Sequence, residues 1–173
     1  MVGGQLDPED NFRRLTLEGK WEEVFNKCQK EIMSCTIKIN EKRDTALHVA
    51  VNEVNEYAVT KLVTMMIKDK SGEKALELKN ERGDTPLHLA ASRGLKSICE
   101  CIIGKNEERK HLIQIPNKEG EIPLFQAALS PEKQTFMYLI SLMPDQSPDQ
   151  SPGNLIRKNR DSILHCAIRG ENF

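Results

Sequence analysis

The residue types best suited to metal or nucleophilic chemistry in this 173-residue chain are four histidines and five cysteines. Three of the histidines, His48, His88 and His165, stand directly after a Leu and three residues after a Thr or Ser. A zinc site needs ligands within about 2 Å of one ion, and a catalytic imidazole needs hydrogen-bond reach to its partner. Residues at one repeated local position meet those needs only if the fold brings them to a point. Cys99 and Cys101 form a C-x-C pair on an expected helix. Helical residues two apart point in different directions and chelate poorly. Cys99 therefore reads as core filling, and Cys101 as the more exposed thiol without a redox role. His111 closes the charged run Glu107-Glu108-Arg109-Lys110-His111 and reads as part of a solvated connection. The phosphate-binding, dinucleotide-binding, nucleophile-elbow and H-E-x-x-H patterns are all missing from the sequence. The expectation is a protein that is not an enzyme and uses no cofactor, no metal and no small-molecule substrate.

The histidines sit in a segment that recurs. Its fullest copy is Asn80-Glu81-Arg82-Gly83-Asp84-Thr85-Pro86-Leu87-His88-Leu89-Ala90-Ala91. Gly83 suits a turn with positive φ, Thr85 suits a helix N-cap, and Pro86 suits the first helical position. Other copies start at Asn40, Asn117 and Arg157, and their acidic positions Asp44, Asp84, Glu121 and Asp161 are 40, 37 and 40 residues apart. A fixed period in the range of about 20–50 residues means stacked repeats. Equivalent positions then lie about a helix-packing distance of 10 Å apart, too far for the histidines to share a ligand. An imidazole near a helix start can instead bond the cap hydroxyl and a neighbouring backbone group, tying turn to helix and repeat to repeat.

The copies Thr45-Ala46-Leu47-His48-Val49-Ala50, Thr85-Pro86-Leu87-His88-Leu89-Ala90, Ile122-Pro123-Leu124-Phe125-Gln126-Ala127 and Ser162-Ile163-Leu164-His165-Cys166-Ala167 resemble the T-P-L-H-x-A signature of ankyrin repeats. The resemblance covers about residues 9–173. It implies an all-α solenoid of stacked helix pairs joined by finger-like β-turn connections. Within one domain, 1–173, residues 9–35 form an N-terminal capping half-repeat, 40–79, 80–116 and 117–156 form repeats, and 157–173 an incomplete one. The half-repeat Gly19-Lys20-Trp21-Glu22-Glu23-Val24 and the long charged fingers are similar to plant ankyrin proteins with a C-terminal PGG membrane domain, the accelerated-cell-death type. That likeness implies a cytoplasmic protein that engages other proteins in defence or stress signalling.

Periodicity places helices over 12–18, 20–33, 45–51, 56–68, 85–92, 95–103, 122–129 and 131–142, with Ser130 capping the last. Leu15 and Leu17 are expected inward, as are Tyr57, Ile67 and Ile140. The tandem Asp-Gln-Ser-Pro of residues 145–152 reads as an exposed loop. The chain stops at Phe173, where a second helix should begin, so it reads as part of a longer protein. No signal peptide or membrane-spanning run is visible. The cysteines Cys28, Cys35, Cys99, Cys101 and Cys166 are odd in number and irregularly placed, which suggests a reducing compartment.

A formal net charge of −1 and a pI near 6.4 supply no bulk attraction to nucleic acid or acidic membrane. What remains is a protein partner. By the resemblance it meets the concave face, at Glu41, Lys42, Asp44 and Glu53; at Glu81, Arg82, Asp84, Ser92 and Arg93; at Lys118, Glu119, Glu121 and Leu129; and at Lys158 and Asn159. Arg82 and Arg93 are the expected anchors, because Arg is enriched at hot spots.

Overall fold

The computed structural model describes residues 7–68 and 70–143, and these contain helices, turns and connections with no strand. Nine α-helices follow in order among the described residues: α1 (Pro8–Leu17), α2 (Trp21–Lys30), α3 (Ala46–Asn52), α4 (Glu56–Ile67), α5 (Lys70–Glu73), α6 (Pro86–Ser92), α7 (Lys96–Ile103), α8 (Pro123–Ala128) and α9 (Lys133–Ser141). Three 3-10 turns, Ile32–Thr36, Lys74–Glu77 and Lys110–Gln114, lead from an outer helix toward the next finger. The inner helices α1, α3, α6 and α8 pack one on the next, and the outer helices α2, α4, α7 and α9 do the same behind them.

Local capping chemistry starts the helices, and it opens α1 at Pro8, four residues before the expected start at 12. Asp7 accepts from the amide of Glu9 at 3.2 Å, and Pro8 opens α1. Asn55 accepts from the amide of Ala58 at 3.0 Å and caps α4. Thr45 and Thr85 cap α3 and α6 through a reciprocal box in which a histidine replaces the usual Glu or Gln. Burial then selects one face of each helix. On α2 that face is Trp21, Val24, Phe25 and Cys28, a spacing of three, four and seven. On the inner helices the small Ala50, Ala90 and Ala127 are fully buried, and Leu47, Leu87, Leu124 and Phe125 are buried with them.

Several side chains and boundaries differ from the periodic reading. Helix α2 ends at Lys30, and Ile32–Thr36 is a separate 3-10 turn built on the buried Cys35. Helix α9 begins at Lys133 with Glu132 as N-cap; the hydroxyl of Ser130 accepts from the amide of Glu132 at 3.3 Å, outside the helix. Leu17, Tyr57, Ile67 and Ile140 are exposed. Tyr57 spans the outside of the α2–α4 junction: its hydroxyl donates to Glu22 at 3.0 Å, its ring meets Phe25 edge-on at 5.8 Å, and Lys61 lies over it at 5.7 Å. The apolar residues of the long connections, Ala75, Leu76, Leu112 and Ile113, are buried in the 3-10 turns. Arg109 closes the outer row at α7: its buried guanidinium donates to the carbonyls of Ile102 at 2.7 Å and Cys101 at 3.2 Å, carbonyls a helix end otherwise leaves unpaired.

Candidate functional site

Each of the three described fingers is held by an asparagine. Asn40 Oδ1 accepts from the amide of Asp44 at 3.1 Å, Asn80 Oδ1 from Asp84 at 3.1 Å, and Asn117 Oδ1 from Glu121 at 3.0 Å. The asparagine amide also reaches back one repeat: Asn80 Nδ2 donates to Asp44 Oδ1 at 3.1 Å and Asn117 Nδ2 to Asp84 Oδ1 at 2.8 Å. Backbone bonds run alongside, from the amide of Glu81 to the carbonyl of Lys42 at 2.7 Å and from Lys118 to Arg82 at 3.2 Å. Lys38 and Lys79 add ammonium bonds to the carbonyls of Lys79 and Pro116, at 2.8 and 2.6 Å.

The histidines complete this ladder. His48 Nε2 donates to the carbonyl of Asp84 at 3.0 Å, and His88 Nε2 to the carbonyl of Glu121 at 2.9 Å. A carbonyl can only accept, so Nε2 carries the proton and Nδ1 is the acceptor. Nδ1 receives the cap hydroxyl at 2.8 Å in both repeats, together with the amide of Thr45 at 3.2 Å or Thr85 at 3.1 Å. Both rings are buried and neutral. Burial lowers the pKa of His48 to about 4 and pushes that of His88 below the usual histidine value; in each case a backbone carbonyl opposes the shift without cancelling it. Each imidazole thus has both nitrogens committed to structure. Among the described residues no group of three or more His, Cys, Asp or Glu is placed to hold a metal ion.

Three predicted partner-binding residues are corrected by this geometry. Asp44, Asp84 and Glu121 are buried, because their carboxylates accept the ladder bonds from the asparagines. They shape the fingers and offer no surface to a partner. Glu41, Lys42, Glu53, Glu81, Arg82, Ser92, Arg93, Lys118 and Glu119 are exposed, at fingertips or at the ends of α3 and α6. The Ser92 hydroxyl already donates to the carbonyl of Leu89 at 2.9 Å. Lys158 and Asn159 lie outside the described residues. On the inner helices Leu89 is half-buried and Leu129 is 39% exposed. Leu89 was legible only as a core residue, since a short apolar segment does not say which of its members meets solvent. Arg43, exposed beside Lys42, is a further fingertip cation, standing where the second and third copies have Gly83 and Gly120.

Four cysteines are described and are free thiols; Cys166 lies outside the described residues. Cys28, Cys35 and Cys99 are buried, and Cys101 is half-buried with its thiol toward Thr60 Oγ1 at 3.8 Å. Cys35 is raised by its hydrogen bond with Cys28 and by burial. Burial pushes Cys99 up to about 12 and raises Cys101 as well. A raised thiol holds less of the thiolate that reacts, in keeping with the reading of Cys101 as a thiol without a redox role. His111 meets Glu77 of the preceding connection at 3.4 Å on the surface.

Helix pairs stacked in two rows, with fingers tied side by side on one edge, define a solenoid repeat protein, a class built to present an extended surface to other proteins. The repeat is specifically the ankyrin repeat: the model of the family described as "Ankyrin repeat" matches residues 82–110, and the whole described chain is an all-α ankyrin-repeat solenoid. The chain is similar in structure to a chain from the crystal structure of the yeast ribosomal protein Rps3 in complex with its chaperone Yar1, with a TM-score of 0.66 and 20% identity, covering 84% of this chain and 100% of that one. At that identity the likeness speaks to the fold. In sequence the chain is similar to a probable serine/threonine-protein kinase of Dictyostelium discoideum, 29% identical over 107 residues, 62% of this chain. The matched segment spans 10% of that protein's length. No helix among the described residues is long and apolar enough to cross a membrane.

Proposed function

We propose that this chain is a non-catalytic interaction module that binds a partner protein on the concave side, where fingertips and inner helices are exposed together. The observation that carries this reading is the mixed set of exposed Lys42, Arg82, Arg93 and Leu129 with half-buried Leu89, carried on a framework whose own polar groups are already bonded to one another. Charged groups at a rim add rate and specificity, and apolar groups at the centre add affinity. The test is affinity capture from a cell extract with the native chain and with Leu129→Arg plus Ser92→Trp, which obstructs the inner helices without touching the ladder. Partners should be lost from that variant and kept by Lys105→Glu in the connection after α7. Undiminished capture by the obstructed variant refutes the reading.

We further infer, from the likeness of the half-repeat at Gly19–Val24 and the long fingers to plant ankyrin proteins with a PGG membrane domain, that the module works on the cytoplasmic side as the regulatory part of a membrane protein in defence or stress signalling. The coding sequence downstream of Phe173 tests this. Apolar segments of about 20 residues are expected there, and their absence ends the idea.

A further inference from the structure

We infer that the concave face of the second repeat takes an extended acidic segment of the partner, in which two carboxylate side chains flank an apolar one. This rests on the concave-face reading above and names the chemistry of what binds there.

Arg82 is the first anchor. Its side chain is 75% exposed, while its Nε is drawn to 3.4 Å from Oδ2 of Asp84, whose side chain is 4% exposed. Asp84 is itself pinned by the amide of Asn117 at 2.8 Å. The guanidinium is therefore aimed by a fixed carboxylate, and its two terminal nitrogens have no partner among the described residues. A guanidinium edge presented this way suits bidentate capture of a carboxylate.

The neighbouring finger adds to the positive charge. The amide of Lys118 bonds the carbonyl of Arg82 at 3.2 Å, and the Lys118 side chain lies against Gly83, where an added Cβ would come within 2.9 Å of its Cγ. Two cations thus begin side by side at the junction of the second and third fingers. At the preceding junction the equivalent backbone bond joins Lys42 to Glu81, residues of opposite sign.

Arg93 is the second anchor. It is exposed at the C-cap of α6, and its side chain has no partner among the described residues. The seven residues of α6 separate it from the finger, a length of roughly 10 Å at 1.5 Å per residue. An extended chain covers that in about three to four residues. Between the two arginines lies Leu89, with Leu129 exposed on the adjacent helix. Acid, apolar, acid in that order matches the sequence of groups along the row. Glu81 and Glu119 flank it and oppose an acidic segment shifted out of register.

The test is selection of a random-peptide display library on the 173-residue protein, followed by affinity measurement on the enriched peptides. Enriched peptides are expected to carry Asp or Glu on either side of an apolar residue. Their affinity should fall about tenfold or more in Arg82→Glu and in Arg93→Glu, stay unchanged in Lys105→Glu, and return in the double variant when the peptide acids are changed to Lys. Peptides that are blocked by Leu129→Arg but lack the acid pair, or that ignore both arginine variants, overturn this inference and leave the concave-face reading standing. Binding only after a Ser of the peptide is phosphorylated overturns it in favour of phosphate recognition. A selection that enriches nothing overturns it too. Peptides indifferent to Leu129→Arg as well as to the arginine variants would remove both readings.

Discussion

The imidazole of His48 donates from Nε2 to the main-chain carbonyl of Asp84, 3.0 Å away and one repeat on, while its Nδ1 receives the hydroxyl of Thr45 at 2.8 Å. One side chain closes the start of its own helix and fastens the next finger. His88 does the same for Glu121. The stacking of repeats is therefore tied to the protonation state of two buried rings.

That coupling has a sign. Burial depresses the folded-state pKa of His48 to about 4, below the unfolded value near 6.5, and lowers that of His88 in the same direction. The unfolded chain binds these protons first as pH falls. The contribution to stability is whole above about pH 6.5, declines below it, and is gone once the pH passes the folded-state pKa. For His48 the loss is on the order of 3 kcal/mol between those limits. Urea midpoints measured at pH 7 and pH 5 should fall on acidification, and the fall should be smaller in His48→Gln.

Asn80 is the hub of the second finger. Its Oδ1 accepts from the amides of Arg82 at 3.0 Å and Asp84 at 3.1 Å, and its Nδ2 donates to Asp44. Asn80→Ala leaves two turn amides and a buried carboxylate short of partners, at a cost of about 2–4 kcal/mol. Denaturant unfolding of the variant measures this. A change below about 0.5 kcal/mol would show that water replaces the amide without loss.

The inner-to-outer turns separate glycine from its substitutes. Gly94 has φ +69°, and a Cβ there would come within 2.3 Å of Glu132 Cβ. Gly94→Ala should destabilise by about 1–3 kcal/mol. Val54 occupies the corresponding place after α3 with φ 55°, a left-handed conformation costly for a branched residue. Val54→Gly is expected to raise the unfolding free energy by up to about 1 kcal/mol. Opposite shifts in melting temperature for the two variants would bear this out, and a drop for both would refute it.

Thr135 in α9 is fully buried, and its hydroxyl has no partner among the described residues. Val keeps the shape and removes the orphan. Thr135→Val should stabilise by about 1 kcal/mol, read from the urea midpoint; a loss of stability would mean that the hydroxyl is satisfied in solution.

The Thr-x-x-His caps are legible in the residues because they depend on neighbours within one turn, and the period and the two rows of helices because the motif recurs; the tie from His48 to Asp84, a bond across 36 residues, is legible only through that recurrence. The carboxylates were not legible in the same way. Asp44, Asp84 and Glu121 look like surface acids in a polar turn, and only the arrival of Asn80 and Asn117 from the next repeat turns Asp44 and Asp84 inward. Tyr57, Ile67 and Ile140 fit an apolar helical stripe, yet lie at its edge and are exposed. The end of α9 nearest its start shows the same limit: Ser130-Pro131 has good helix-start chemistry, but the turn from α8 needs those residues as a connection.

The sequence by itself determined the repeating unit, the helix pair within it and the absence of the familiar catalytic motifs, since these follow from spacing and local capping. Only the tertiary structure decided which charges are exposed. A repeat buries its polar groups against the next repeat, so the exposed set, Arg82 and Arg93 among it, exists only after the fingers have stacked.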